Sequence, residues 1–357
     1  MHSRIRHVSI VAAAVFVAVA TAAVAQRAGS PAPAGSGDAT ARIVAAAQAV
    51  LKTLDDAGRA KVQFPFEGPQ KTRWSNLPSP MFQREGLRLA DIAPAQRAAV
   101  MTLLSTALSA DGYRKVNDIM RGDEVLRVNQ AARGGGAGRG APGGRAGPAF
   151  GEAEYYLAFL GTPSTTAPWM LQFGGHHLAI NLTLAGTQAS MTPSLPAAQP
   201  ASYMFEGRTI RPLGKENDKA FALINNLDDA QRGKAILNYR VADLVLGPGQ
   251  DGRTIQPEGL PASALSAQQQ TMLMDLVREW AGIVNDEFGE PRMAEIRKNL
   301  PQTYFAWSGP TTNGSAAYFR VHGPTLVIEY APQNSVDHIH TIYRDPTNDY
   351  GAKIVSR

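Results

Sequence analysis

The sequence of 357 residues contains no cysteine. This absence excludes disulfide bonds, thiolate metal ligands and cysteine nucleophiles. Charged residues are also scarce, at 18% of the chain, and the 35 basic and 30 acidic side chains leave a formal net charge of only +5. So small an excess gives no indication of nucleic-acid binding. The apolar residues, at 44%, are sufficient for a hydrophobic core, which excludes a wholly disordered chain.

Long hydrophobic runs are missing except near the N-terminus. There, Arg4 and Arg6 precede an apolar segment at residues 8–24, which ends in the small residues of a cleavage site. This pattern predicts a secretory signal at residues 1–25, and the alternative is an N-terminal membrane anchor. Cleavage would remove two arginines and lower the formal charge to +3. We therefore expect an exported protein, periplasmic or secreted, with no stable membrane anchor, no nucleic-acid partner and a disordered linker at residues 26–40.

Two parts of the chain resemble each other. Residues 54–61 recur as residues 227–234 at an offset of 173, and residues 156–161 recur as residues 304–309 at an offset of 148. The difference of 25 residues indicates an insertion in the first copy, and a Gly/Arg-rich stretch at residues 132–149 accounts for it. The repeated Arg-Gly pairs suggest RNA binding, but no aromatic residues alternate with them, so we interpret the stretch as a flexible loop.

The duplication predicts the fold class. Each copy has helical apolar stripes followed by strand-like runs, and a tight turn is expected at Gly174–Gly175 and again at Gly323–Pro324. We predict an α+β fold in which two units of helices and antiparallel strands pack as one pseudo-twofold body. The single domain is expected at residues 41–357, with copies at residues 41–190 and 215–331 and a histidine-containing tail at residues 332–357.

Histidines cluster late in each copy. The chain has seven, two of them in the predicted signal. His338 and His340 are two positions apart, so on a strand both rings lie on one face and can bind one divalent metal ion, with zinc as one candidate. A third ligand would be His177 or Glu329. The alternative is that these histidines are structural. The five outside the signal are His176, His177, His322, His338 and His340.

Other polar residues near these motifs are candidates for chemistry. Glu329 is the only carboxylate of its apolar run and is also a candidate general base. Arg320 and Arg344 are candidates for binding an anionic substrate group. No nucleophile elbow, Walker loop, dinucleotide fingerprint or zinc-protease helix motif occurs. Residues assigned to a possible additional site, including acidic partners of Arg344, are His176, His322, Asp345 and Asp349.

Several motifs together resemble a bacterial family known only as the domain of unknown function numbered 3500. The resemblance covers nearly the whole chain after the predicted signal. It implies a single-module architecture, and it implies no activity because the family name carries none. The motifs are Arg84-x-Gly86-Leu87, Tyr156-Leu157-Ala158-x-x-Gly161-Thr162-Pro163, Gln172-Phe173-Gly174-Gly175-His176-His177-Leu178, Tyr304-Phe305-Ala306-Trp307-x-Gly309, Arg320-x-His322-Gly323-Pro324, His338-Ile339-His340-Thr341-x-Tyr343-Arg344-Asp345 and Asn348-Asp349-Tyr350-Gly351.

Two functions follow as hypotheses. The first is an exported metal-dependent enzyme, hydrolytic in type, that acts on a small-molecule or polymer-derived substrate. His338, His340 and a third group would bind the metal, and a metal-bound water would be the nucleophile. The second is a non-catalytic periplasmic binding or assembly protein with structural histidines.

Overall fold

The first helix of the computed structural model begins earlier than the sequence predicts. The structure describes residues 35–132, 147–333 and 335–355, all within the unit that starts at Ala34. Helix α1 (Ser36–Lys52) takes up residues 36–40, which were expected in a disordered linker. The Ala39 amide donates to Glu287 Oε2 at 3.1 Å, and the Thr40 hydroxyl donates to the Gly186 carbonyl at 2.8 Å. These long-range hydrogen bonds explain why the segment is ordered.

Eight further helices are described, and one of them begins at a capping residue, Ser266, whose hydroxyl accepts from the Gln269 amide at 3.2 Å. Residues 1–34 and 133–146, which include the predicted signal and most of the Gly/Arg-rich stretch, lie outside the described residues. Helices after α1 are α2 (Asp56–Val62), α3 (Pro94–Ala107), α4 (Ala110–Ala132), α5 (Gly214–Asn226), α6 (Asp229–Ala235), α7 (Ala267–Ala281), α8 (Asp286–Lys298) and α9 (Ala352–Val355). Single 3₁₀ turns occupy Pro69–Thr72, Leu89–Asp91, Ala262–Ala264, Leu300–Gln302 and Asp349–Gly351.

The strands form two main sheets. In the first sheet, β1 (Gln63–Phe64) pairs parallel with β3 (Tyr156–Leu160), and the remaining pairs are antiparallel. Its other strands are β2 (Leu87–Arg88), β4 (Trp169–Gly175), β5 (Leu178–Ala185), β6 (Gln188–Ser190) and β7 (Leu195–Pro196). The second sheet contains β10 (Leu260–Pro261), β11 (Tyr304–Ser308), β12 (Tyr318–Gly323), β13 (Leu326–Pro332) and β14 (Ile339–Arg344), in that order and all antiparallel. A hairpin of β8 (Tyr203–Phe205) and β9 (Arg208–Ile210) is separate.

Helices and mostly antiparallel sheets together confirm the α+β class. The order of elements recurs at the offsets seen in the sequence: α2, β2 and α3 begin 173 residues before α6, β10 and α7, and β3 begins 148 residues before β11. The hydrophobic core under the first sheet also contains Ile283, Val284 and Phe288, which lie after α7 and on α8 in the second half of the chain. The cores of the two halves are therefore not separate. No helix in the described part of the chain is long and apolar enough to cross a membrane.

Both turns lie later in the chain than predicted, the first by two residues and the second by one. Gly175 pairs with Leu178 and Gly323 pairs with Leu326, so the glycines end strands and the turn positions are residues 176–177 and 324–325. A Cβ on Gly174 would lie 2.5 Å from the Leu178 carbonyl oxygen. Close backbone packing therefore explains this glycine. As a consequence, His176 and His177 lie in a turn and not on a strand.

Two long segments that contain no strand and no helix longer than a single 3₁₀ turn pack across the sheets. We call residues 65–86 the first arm and residues 236–259 the second arm. The first arm follows β1, and the second arm follows α6 and leads into β10. The second arm is anchored at Glu329 on β13, whose carboxyl oxygens accept from the Val245 amide at 2.9 Å and the Leu246 amide at 2.8 Å. Both arms reach the histidine cluster described below.

Candidate metal centre

Three histidine side chains converge at one point. His338 Nε2 lies 2.9 Å from His177 Nε2 and 3.1 Å from His340 Nε2. One nitrogen atom of each ring lies within 4.8 Å of the other two. His177 is 2% exposed and His340 is 8% exposed, whereas His338 is half-buried. We call this group the histidine triad.

The triad draws on both sheets. His340 lies on β14 and His338 immediately precedes it, so the two rings lie together as their spacing predicts. His177 comes from the turn between β4 and β5 of the first sheet. Because His177 comes from the first sheet and His338 and His340 come from the second, the triad exists only when the two sheets are packed together. Of the two third ligands considered from the sequence, the structure brings His177 to this point.

The backbone of His177 has an unusual conformation. Its φ is 59°, in the left-handed region that glycine favours. The His177 amide donates to the Asn76 carbonyl at 3.1 Å, and its own carbonyl accepts from the Ala197 amide at 2.8 Å. These two hydrogen bonds maintain the turn on both sides of the residue. A left-handed conformation at a bulky residue is a form of strain that occurs often at functional sites.

Each arm contributes a side chain to His340. Asp243 Oδ1, from the second arm, lies 3.2 Å from His340 Nδ1 and accepts its proton. The Asn76 amide, from the first arm, lies 3.1 Å from His340 Nε2 and donates to it. This arrangement places the ring proton on Nδ1 and the lone pair on Nε2, which faces both the Asn76 amide and His338. A carboxylate behind a ligating histidine is the usual second contact of a metal site.

His176 supports the triad from the other side. Its ring centroid is 3.7 Å from that of His177. His176 Nδ1 lies 2.6 Å from Asp123 Oδ1, and the other oxygen of Asp123 accepts from the Gly151 amide at 2.8 Å. Since its Nδ1 faces Asp123 on α4, His176 is placed to orient His177 and is not one of the three converging groups.

Burial keeps two of the three histidines, His177 and His338, uncharged at neutral pH. The pKa of His177 lies well below its usual value because of burial, with further lowering from His176, His340 and His338. Burial and then His340 lower the pKa of His338 to about 4. For Asp243, burial alone would raise the pKa, but hydrogen bonds from His340 and the Leu244 amide outweigh it, and the net pKa is lowered. A pair of neutral imidazoles beside an ionised carboxylate suits metal binding.

The triad fits a divalent transition metal ion. His338 Nε2 faces two other ring nitrogens, and its single proton can serve only one of them; the Asn76 amide is the other donor to His340 Nε2, and a metal ion bound there would replace that hydrogen bond. Nitrogen ligands of a tetrahedral zinc ion are about 3.3 Å apart, given Zn–N distances of about 2.0–2.1 Å. The distances of 2.9 and 3.1 Å are close to this spacing. Three imidazole ligands suit zinc, copper, nickel or iron.

The family of the chain is shown by comparison with family profiles. Residues 36–352 match the family described as Protein of unknown function (DUF3500). The chain belongs to this family. The resemblance noted in the sequence is thereby confirmed. Searches of curated proteins and of solved structures found no match to this DUF3500 chain.

Glu329 is not the third ligand in this DUF3500 protein. Both of its oxygens accept hydrogen bonds from the second arm, and Oε1 also accepts from the Tyr318 hydroxyl at 2.6 Å. The residue is fully buried. The structure therefore does not bring Glu329 to the triad, because its carboxyl oxygens contact the second arm and Tyr318 instead. Its position explains how the second arm is attached to the sheet.

The two arginines expected to bind substrate are occupied elsewhere. Arg320 is 3% exposed and donates to Glu258 Oε2 at 2.7 Å. Arg344 donates to the Leu246 carbonyl at 2.7 Å and to Asp349 Oδ2 at 2.8 Å. Both guanidinium groups thus stabilise buried contacts of the second arm and the C-terminal segment. Neither offers a free cation to a substrate beside the triad.

The remaining predicted site residues are also separate from the triad. Asp345 forms an ion pair with Arg292 at 3.1 Å, and Asp349 pairs with Arg344 as expected. His322 lies on β12, where burial and then Arg320 lower its pKa to about 4. Its Nδ1 has no partner in the described part of the chain. These residues do not form an additional metal cluster with the triad.

Three residues at the site were not predicted from the sequence. They are Asn76, Asp123 and Asp243, which lie on the two arms and on α4. The arms have no helical or strand periodicity, so no pattern marks which of their polar residues face the histidines. Asp123 lies on a long helix whose exposed face carries many charges, and nothing local separates it from them.

Proposed function

We propose that this DUF3500 protein is a metal-dependent hydrolase whose ligands are His177, His338 and His340. The observation that carries the proposal is the convergence of one nitrogen atom from each ring within 4.8 Å. Three protein ligands leave a fourth position for water or substrate, as catalytic zinc sites do. The missing cysteines fit this ligand set, which contains no thiolate.

The residues around the triad would have distinct tasks. A bound divalent ion supplies a water of lowered pKa as the nucleophile. Asp243 holds the Nδ1 proton of His340, which fixes the tautomer that presents Nε2. The stacked ring of His176 and its bond to Asp123 restrict the orientation of His177. The half-buried side of His338 is the most open approach to the centre.

A second candidate uses the same ion without catalysis. Deep burial of His177 and His340 favours a structural ion that links the two sheets of a binding or assembly protein. Metal content alone does not separate the two candidates, but hydrolysis that depends on the ion does.

Metal analysis of purified protein tests the proposal. We expect about one equivalent of a transition metal after reconstitution with zinc or cobalt. His338→Ala and His340→Ala should each abolish it, since two imidazoles bind far more weakly than three. His322→Ala is the matched control, a buried histidine outside the triad, and it should bind as the wild type does. Less than about a tenth of an equivalent in the wild type would overturn the proposal.

Hydrolysis is then measured on the protein that binds metal. A panel of p-nitrophenyl acetate, phosphate and sulfate covers the main classes of hydrolysable bond. Release of p-nitrophenol that disappears with a chelator and in His338→Ala supports the hydrolase. A bound ion without such activity on any probe supports the structural role.

Two further statements belong to the same proposal. We infer that the protein is exported after cleavage behind Ala25, on the support of the apolar segment at residues 8–24 and the small residues that follow. We also infer that the two halves descend from one duplicated unit. Support comes from the sequence repeats at two offsets and from the matching order of helices and strands at the same offsets.

A further inference from the structure

A cavity of about 540 Å³ lies between the second arm and the second sheet. Residues of the arm that line it include Tyr239, Arg240 and Ala242, and the sheet contributes Ser308, Tyr318 and Pro332. The volume is within the range of small-molecule sites, roughly 300–1,000 Å³. Nothing in the chemistry described so far uses this space.

The cavity and His340 lie on the same face of the second sheet. Ser308 pairs with Tyr318, and Ala331 pairs with His340. The pairing of Phe319 with Tyr330 places Tyr318 beside Ala331. Directly paired residues point to one side of a sheet, so Ser308, Tyr318, Ala331 and His340 form a single row across four strands. Tyr318 and His340 are two strands apart, about 10 Å at the usual spacing.

The second arm also connects the cavity to His340. Ala242 lines the cavity, and the next residue, Asp243, is bonded to His340. Pro332 also lines the cavity, and it pairs with Ile339, which stands between His338 and His340. The wall of the cavity is therefore connected to the triad at two points, through Asp243 and through Ile339.

One charge lines the cavity. Arg240 is the only charged residue among those that line it, it is exposed, and no ion-pair partner for it is present in the described ranges of the chain. The hydroxyl groups of Tyr239 and Tyr318 are bonded to Glu258 and Glu329, each at 2.6 Å. Tyr239, at 45% exposure, thus offers ring surface, Tyr318, at 2% exposure, forms part of the wall, and Arg240 offers an unpaired cation.

We infer that this cavity is the substrate pocket of the proposed metal centre and that it takes an anionic group on Arg240, with an apolar body against Tyr239 and Tyr318. The inference rests on the proposed function. Arg240 and Asp243 are three residues apart, at most about 10 Å along an extended chain. The substrate is therefore a small carboxylate or phosphate whose reacting bond is separate from its charged group.

Ligand binding to the cobalt-loaded protein tests the pocket. The probes are benzoate and phenyl phosphate, with benzamide as the neutral counterpart of benzoate, and calorimetry measures affinity. Benzoate or phenyl phosphate should bind more tightly than benzamide. Arg240→Ala should lower the affinity for the anion by about tenfold, as loss of one charge-assisted contact does. Arg297→Ala removes another exposed arginine, on α8, and should change nothing. The anion that binds more tightly identifies the carboxylate or the phosphate class.

Two results would overturn the inference that this cavity is a substrate pocket. One is equal affinity of Arg240→Ala and the wild type for both anions, and the other is no preference of the wild type for either anion over benzamide. If the protein binds cobalt and gives either result, the pocket fails and the metal centre stands. If the protein binds no metal but still binds benzoate through Arg240, the proposed function fails and the anion pocket stands. A change in the visible cobalt spectrum on adding benzoate, absent in Arg240→Ala, supports the link between the two.

Discussion

His177 combines features that reduce stability. Its φ of 59° costs about 1 kcal/mol for a residue with a Cβ. Its Nδ1 is buried without a partner in the described residues, and an unsatisfied buried polar atom costs about 1–3 kcal/mol. Glycine is the residue that this backbone position favours. A histidine there is consistent with a role that requires an imidazole, and its Nε2 lies in the triad.

Replacing His177 by glycine separates function from stability. We expect His177→Gly to abolish metal binding, because the third ligand is lost. The unfolding free energy of the metal-free protein should stay within about 1 kcal/mol of the wild type, since lost packing is offset by relief of the backbone and of the buried nitrogen. Urea denaturation with a chelator present measures this.

His177→Ala is the matched variant for this prediction. It removes the same imidazole but keeps a Cβ in the left-handed conformation. It should therefore be about 1 kcal/mol less stable than the glycine variant. A glycine variant that retains the metal, or that is less stable than the alanine variant, would contradict this account of the turn.

The arms are the elements that bring polar groups to the triad. The second arm is fastened to β13 through Glu329, to β14 through Arg344 and to His340 through Asp243. The first arm contributes Asn76. Its backbone carbonyl accepts from the His177 amide, and its side-chain amide contacts His340 Nε2. Since the arms have few strand pairings of their own, these side-chain contacts determine where they lie.

Loss of the Glu329 anchor should loosen the second arm and leave the metal ligands intact. We expect Glu329→Gln to lower the unfolding free energy by about 2–4 kcal/mol, because an amide NH2 faces one of the two backbone donors. Trypsin should then cleave faster after Arg240 or Arg253, which are exposed arginines of the arm. Glu206→Gln, at an exposed carboxylate, is the control and should have no effect. Loss of the metal with no change in proteolysis would instead favour Glu329 as a ligand.

Across the whole molecule, local patterns were predictable and contacts between distant segments were not. His338 and His340 share a face because strand periodicity is a local property. The third ligand depends on how the first sheet packs on the second, so the sequence left His177 and Glu329 as alternatives. Arg320 was expected to be free because its ion-pair partner, Glu258, lies on the second arm. The order of helices and strands recurs at the offsets of the sequence repeats, since similar local segments form similar elements.

Three buried histidines make stability depend on pH. The pKa values of His322 and His338 are lowered to about 4, and that of His177 is lowered well below its usual value, in each case chiefly by burial. In the unfolded chain each has a pKa of about 6.5. Between these limits the unfolded chain binds more protons than the folded protein. Stability is therefore fully present above about pH 6.5 and falls as the pH decreases toward 4.

His322 gives a test of this effect away from the triad. We expect the unfolding free energy of the chelator-treated wild type to fall between about pH 6 and pH 5, and the slope in His322→Gln to be smaller by about 1.4 kcal/mol per pH unit, the contribution of one proton. Glutamine does not titrate and can still donate to the Gln256 carbonyl that contacts His322. At about pH 8 the two slopes should agree, because histidine is uncharged in both states. Equal slopes of unfolding free energy against pH in the two proteins between about pH 6 and pH 5 would show that His322 titrates normally and that its burial does not disfavour the charged ring.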